Sequence, residues 1–170
     1  MVTETDAPNA RDQLWNLIKD IRFAMFTTRH KNGHLHSRPI TTQNQALDDQ
    51  DQLWFFMSRR SDTVADLGNG AEANVSYSDP GNDRHVSVSG HACVADDRAR
   101  IKLLWTKMAQ AWFPGGPEDP DLVLVEVTIS HAHYWNVKES KVVQLYEMAK
   151  AVISGIPPSH LAESAEIRLN

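Results

Sequence analysis

The spacing of apolar residues changes along the chain from a helical period to a strand period and back. Over residues 9–21, Leu14, Leu17, Ile18 and Ile21 follow i, i+3, i+4, i+7 spacing, which predicts an amphipathic helix, capped by Asn9 just after Pro8. Residues 22–29 switch to strand composition. Asn32-Gly33 predicts a hairpin turn, and a return strand runs from about Leu35 to Gln43. Pro39 cannot donate to a ladder, so this strand belongs at a sheet edge or carries a bulge. The apolar run 52–58 predicts a third strand, and a short helix follows from Ser61 to about Leu67, stopped by Gly68 or Gly70. Residues 72–78 and 84–95 predict two more strands, the second with Val86, Val88, Gly90, Ala92 and Val94 on one face. A helix is expected over 97–112, with Ile101, Leu104, Trp105, Met108 and Trp112 along one side. Strands over 121–129 and 132–137 and a helix over 139–154 complete the pattern.

Runs of neighbouring strands favour antiparallel pairing, because parallel crossovers need a helix between nearly every pair. The expected fold is therefore mainly β with α: a closed or nearly closed antiparallel barrel with helices outside it. Closure also removes the exposed edges of such apolar strands. The length of 170 residues and a 41% hydrophobic content suit one domain over 1–170, with a core of about 10–156 and a tail of 157–170.

Charge and cysteine content narrow the class. A net charge of −5, from 17 basic and 22 acidic side chains, argues against general nucleic-acid binding. There is no apolar run of about 18 residues, so no membrane span is expected. The first residues, Met1-Val2-Thr3-Glu4-Thr5-Asp6, lack the basic start and apolar run of a secretory signal. The single cysteine, Cys93, forms no internal disulfide and no zinc ribbon. These features together predict a cytoplasmic protein.

Three segments carry candidate chemistry. In Ser37-Arg38-Pro39-Ile40, a guanidinium precedes a proline that interrupts pairing, which makes an anion or ring-edge site conceivable beside a plain surface role. In Phe56-Met57-Ser58-Arg59-Arg60-Ser61-Asp62-Thr63, a strand ends and a helix begins, so hydroxyls and free N–H groups could meet a phosphate. Simple N-capping by Ser61 explains the same residues. In Trp112-Phe113-Pro114-Gly115-Gly116, aromatics border a stiff loop able to cover a flat ring, although Trp112 also reads as the last core residue of its helix. No Walker A or Gly-x-Gly-x-x-Gly loop is present, and no Gly-x-Ser-x-Gly elbow supports a hydrolase. Histidines cluster at 30, 34 and 36 and again at 131 and 133. Neither cluster has a nearby cysteine or a helical His-x-x-x-His, so no metal site is expected. Cys93 is expected to pack rather than react.

Taken in order, Ser37-Arg38-Pro39-Ile40, Leu53-Trp54-Phe55-Phe56, Ser61-Asp62-Thr63-Val64, Val88-Ser89-Gly90, Trp112-Phe113-Pro114-Gly115-Gly116, Asp119-Pro120-Asp121-Leu122 and Tyr134-Trp135 form a specific series. The chain resembles the pyridoxamine 5′-phosphate oxidase-like family of FMN-binding split barrels, and most of all its bacterial general stress protein branch. The resemblance runs from about residue 10 to residue 156. It implies a six-stranded antiparallel split β-barrel of Greek-key order with flanking helices, working as a homodimer with two FMN sites at the interface; FAD would bind more weakly. It further implies that Arg38 meets the flavin or its phosphate and that Pro39 and Ile40 meet the ring edge. Phe56 and Met57 would line the site, and Ser61, Asp62 and Thr63 would hold the phosphate. Trp112 and Trp135 of the partner subunit would flank the flavin. Many relatives have a lysine where this chain has Thr63, with Arg59 or Arg60 as possible substitutes. True oxidases of the family hold substrate with a C-terminal Arg-x-His-type motif that residues 161–170 lack. The resemblance implies an FMN-dependent flavoprotein, with oxidoreductase activity as its first reading, and the missing motif implies that it does not oxidise pyridoxamine 5′-phosphate. No catalytic acid or base is evident. A flavin store or stress sensor and a heme-binding barrel with a histidine ligand are the alternatives.

Overall fold

The computed structural model describes residues 7–136, 141–157, 163–167 and 169. Helix α1 (Ala7–Ile18) leads into the hairpin β1 (Ala24–Arg29) and β2 (Leu35–Ile40), followed by β3 (Gln52–Ser58) and the short helix α2 (Asp62–Leu67). Strands β4 (Ala71–Asp79) and β5 (Arg84–Ala95), helix α3 (Arg98–Leu104), the long β6 (Leu122–Asn136), helix α4 (Lys141–Ser154) and β7 (Glu163–Ile167) complete the order. All strand pairings are antiparallel, along the path β2-β1-β4-β5-β6-β3, with β7 joined to β6. The two ends of the path meet where Thr42 bridges to Phe55 and Gln43 N–H donates to the Trp54 carbonyl at 2.8 Å. The path therefore curls into a split barrel, and the edge position read from Pro39 holds for β2.

Period-two alternation sorts the strands' side chains between two cores. Phe26, Leu53, Phe55, Met57, Val75, Tyr77, Val88, Val125 and Val127 fill the barrel interior, which Leu14, Leu17 and Ile18 of α1 and Leu67 of α2 close. On the outer face of β3 and β6, Trp54, Phe56, Leu122 and Leu124 pack under Ile101 and Leu104 of α3 and under Phe113. Arg11 pins α1 to the β2–β3 connection through Asp51, with its Nε at 2.5 Å and its Nη2 at 3.1 Å.

Three expectations are corrected. The helix expected over 97–112 ends at Leu104, where Trp105 turns to extended backbone and packs against Phe56 at a ring separation of 5.7 Å. Short 3-10 turns follow at Ala109–Ala111 and Gly116–Glu118, the first opened by Thr106 Oγ1 accepting from Ala109 N–H. The strands expected over 121–129 and 132–137 are one continuous β6. Its register shifts opposite Ser89/Gly90, leaving Ser130 as the bulged residue, whose Oγ donates to the Ser89 carbonyl. Gly90 is required there: a Cβ would lie 2.2 Å from the Thr128 carbonyl oxygen. Lastly, part of the segment expected as a tail is structured, since β7 pairs with β6 and buries Ile167, with Leu169 buried just beyond it.

Candidate functional site

The inward face of β2 carries His36, Arg38 and Ile40, and Pro39 between them points outward. Register sets Arg38 opposite Phe26 and His36 opposite Thr28 on β1. Phe26 and Thr28 are both buried, so these β2 side chains lean over the end of the barrel core. Helix α2 crosses this end. Ser61 caps it by accepting from Val64 N–H at 3.3 Å, and Asp62 lies exposed in its first turn, where a carboxylate favours the helix dipole. Thr63 is 1% exposed and its Oγ1 accepts a hydrogen bond from Arg38 Nη1. The fold thus brings Arg38 to Thr63, 25 residues along the chain, with the Ser61 cap on the same turn as Thr63. Among the described residues no carboxylate lies within ion-pair distance of the Arg38 guanidinium, which is half-buried.

One turn along α2 from Thr63 stands Asp66. Its Oδ1 is 2.6 Å from His30 Nδ1 and its Oδ2 accepts from Thr28 Oγ1 at 3.0 Å. Burial alone would push this carboxyl up. The hydrogen bonds from His30 and Thr28, with the charges of His30 and Arg38, overcome that and hold it below the ordinary carboxylate range. The His30 ring stacks on that of His36, with centroids 4.7 Å apart. Strand alternation alone would set His34 and His36 on one face. The hairpin instead brings His30 to His36 from across the turn, and Asp66 was not singled out, because nothing local to it signals a partner on β1.

Other expected site residues are placed elsewhere. Phe56 and Met57 are adjacent in β3 and so face opposite ways, Phe56 into the outer core and Met57 into the barrel. Trp112 is not a core residue: it ends the turn at Ala109–Ala111 and is 80% exposed. Trp135, on the outward face of β6, is 44% exposed with its ring 4.4 Å from that of His133. Neither tryptophan shares an element with Arg38 or Thr63. Arg59 and Arg60, the suggested substitutes for a lysine at 63, are tied to the loop just before β6. Arg60 Nε meets Asp121 Oδ1 at 3.1 Å, and Arg59 Nε donates to the Pro120 carbonyl at 3.2 Å. Cys93 donates to Glu126 Oε1 at 3.3 Å. Burial, then Glu126, pushes its thiol up, so it is not activated as a nucleophile. Among the described residues no helix is long and apolar enough to cross a membrane.

The chemistry on offer at the barrel end is anion binding. A guanidinium with no ion pair among the described residues reaches the Thr63 hydroxyl, with the Ser61 cap two residues earlier on the same turn, at the mouth of an apolar interior. Comparison with known proteins bears on the family and the fold. The chain is 29% identical over 167 residues to protein bli-3 of Neurospora crassa, covering 91% of this chain and 78% of that protein. Its structure superposes on a general stress protein 26 from Jannaschia sp. CCS1 with a TM-score of 0.73 at 25% identity, covering 95% of this chain and 99% of that one. A general stress FMN/FAD binding protein from Xanthomonas citri aligns with a TM-score of 0.67 at 29% identity, over 78% of this chain and 92% of its own. The sequence profile of the pyridoxamine 5′-phosphate oxidase like family matches residues 9–158, and the chain belongs to that family.

Proposed function

We propose that the chain is a flavoprotein that binds FMN, with FAD as a weaker ligand, and that it acts as a cytoplasmic homodimer. The observation that carries this reading is the half-buried Arg38 guanidinium, tied to Thr63 and lacking a carboxylate partner among the described residues. It lies on the inner face of an edge strand of a split barrel, and a relative of the same fold is an FMN/FAD binding protein. The residues present fit the group. Arg38 would anchor the phosphate, Ser61 and Thr63 would add hydroxyl contacts, and the backbone of Asp62 would add an N–H. The Asp62 carboxylate, exposed at the helix start, would stay outside the contact. Pro39 and Ile40 would meet the ring edge through their backbone, with Met57 beneath in the barrel.

Phe56 has no direct place in this arrangement, since it is sealed in the outer core. It supports β3 from behind. Trp112 and Trp135, large and exposed in one chain, would cover the flavin of the other. When bound, the flavin supplies the electron chemistry; the protein positions it and excludes water. The likeness of fold does not by itself bring the oxidase reaction.

Titration of the protein with FMN, followed by flavin fluorescence and calorimetry, tests the proposal. Saturable binding of one FMN per chain is expected, in the micromolar range or tighter, and absence of any heat or fluorescence change refutes it. Bleaching of the bound flavin by NADH or NADPH would then identify an oxidoreductase, and an inert flavin would identify a store or sensor.

A further inference from the structure

The cluster formed by His30, His36 and Asp66 is not used by the anion site, although it adjoins it. Each residue contributes one ligand atom, and these atoms all lie within 4.8 Å of one another. The three come from three places: the end of β1, the inward face of β2, and α2. Folding alone assembles them at the tip of the first hairpin.

We infer that His30, His36 and Asp66 form a binding site for a divalent transition-metal ion of the zinc class. Two imidazoles and one carboxylate are a donor set that suits zinc, cobalt or nickel rather than calcium or magnesium, which prefer oxygen. Three protein ligands leave a coordination position for water. The carboxylate is already oriented. Its Oδ2 is held by Thr28 Oγ1 at 3.0 Å, which leaves Oδ1 directed at His30. Such an outer hydrogen bond is what fixes a metal-ligating carboxylate in place.

Binding requires small movements, and the structure permits them. Ligand atoms on a tetrahedral ion with bonds of about 2.0–2.1 Å stand about 3.3 Å apart. His30 Nδ1 and Asp66 Oδ1, now at 2.6 Å, would open as the ion replaces the proton between them. The His36 ring now lies parallel to His30 and must turn about its Cβ–Cγ bond to aim a nitrogen at the ion. It is only half-buried, on an edge strand, and none of the hydrogen bonds among the described residues holds it. Arg38 is the nearby charge that opposes a cation.

The test uses tag-free full-length protein, treated with chelator, dialysed and titrated with cobalt(II) chloride. Visible d–d absorption and calorimetry are both recorded. One cobalt ion per chain is expected, displaced by zinc(II). His36→Gln should weaken binding by at least roughly tenfold, and His30→Gln should do so independently. His131→Gln, at an exposed histidine on β6, should leave it unchanged. Circular dichroism establishes that each variant is folded. No absorption band or heat up to millimolar cobalt, or binding that survives both His36→Gln and His30→Gln, overturns the inference. FMN affinity is not part of the readout, so failure here is distinct from failure of the flavin proposal.

Discussion

The two halves of the proposed flavin site are built differently. The cradle is complete within one chain: Arg38 reaches Thr63 across the barrel end, and Ser61 caps the helix that carries Thr63. The aromatic cover is not. Trp112 and Trp135 point away from their own barrel and remain largely exposed. A charged anchor needs fixed geometry, which a strand and a helix of one core supply. A flat hydrophobic cover needs only area, and a second chain can bring it. On the proposed reading, phosphate affinity would depend on the integrity of one barrel, whereas ring coverage would depend on assembly.

The sharpest way to break this distinction is to remove the anchor. Arg38→Ala should weaken FMN by tenfold to hundredfold, because a charge-assisted hydrogen bond contributes about 1.5–3 kcal/mol. Arg29→Ala, whose guanidinium only reaches the Gly33 carbonyl at 3.1 Å beside the hairpin turn, should change affinity little. Equal losses in the two variants would remove Arg38 from the cradle.

Trp112→Ala should have a smaller effect, about 0.5–1.5 kcal/mol, the usual scale of an aromatic contact beyond its buried area. Mixing is more decisive than the single variant. If the cover comes from the partner, a heterodimer of one Arg38→Ala chain and one Trp112→Ala chain contains one intact site. Half of the heterodimer's sites, or about a quarter of all sites in an equal random mixture, should then show wild-type affinity, as read by FMN fluorescence titration. No recovery on mixing would mean that cradle and cover belong to the same chain. Sedimentation should show twice the mass of the chain, and a single 19.1 kDa species at micromolar concentration would contradict the dimer.

The smallest effect concerns the contacts that tie Arg59 and Arg60 to the loop before β6. Hydrogen bonds from Ser58 and Arg60 hold the Asp121 carboxyl below its ordinary range. Its folded value is thus lower than its unfolded one. The stabilisation is complete above the unfolded value of about 3.9 and is lost as pH falls through the folded value. Asp121→Asn should therefore lower the melting temperature at pH 7, and its difference from wild type should shrink as the pH is lowered below about 4. A difference that is constant with pH would show that the ion pair contributes nothing.

Much of this was legible from residue order. Alternation along β1, β4 and β5 placed the barrel strands, Asn32-Gly33 placed the hairpin, and Pro39 placed the edge. The place of Arg38 on the edge strand and the capping role of Ser61 were legible because proline punctuation and helix capping are local signals. Asp66 was not, since its role depends on β1 residues brought to it only by folding. The exposure of Trp112 was hidden for a related reason. Its position in a helical pattern implied burial, but Trp105 leaves the helix to pack on Phe56 and ends the pattern early. The structured segment at β7 carried no apolar alternation strong enough to predict a strand.

The pairing of β3 has a consequence for how the chain is made. Ser58 pairs with Leu122 and Gln52 with Thr128, so β3 finds its full partner only once β6 has been made. At about 5–20 residues per second, the ribosome leaves it waiting for several seconds. The waiting segment holds five consecutive residues that end up buried, Leu53 to Met57, and three of them are aromatic. Such a segment is prone to pair with another nascent chain. Yield should therefore depend on the rate of synthesis and on chaperone supply. Slower expression at low temperature should give more folded protein, since crowding of unfinished chains, rather than the stability of the finished barrel, limits recovery.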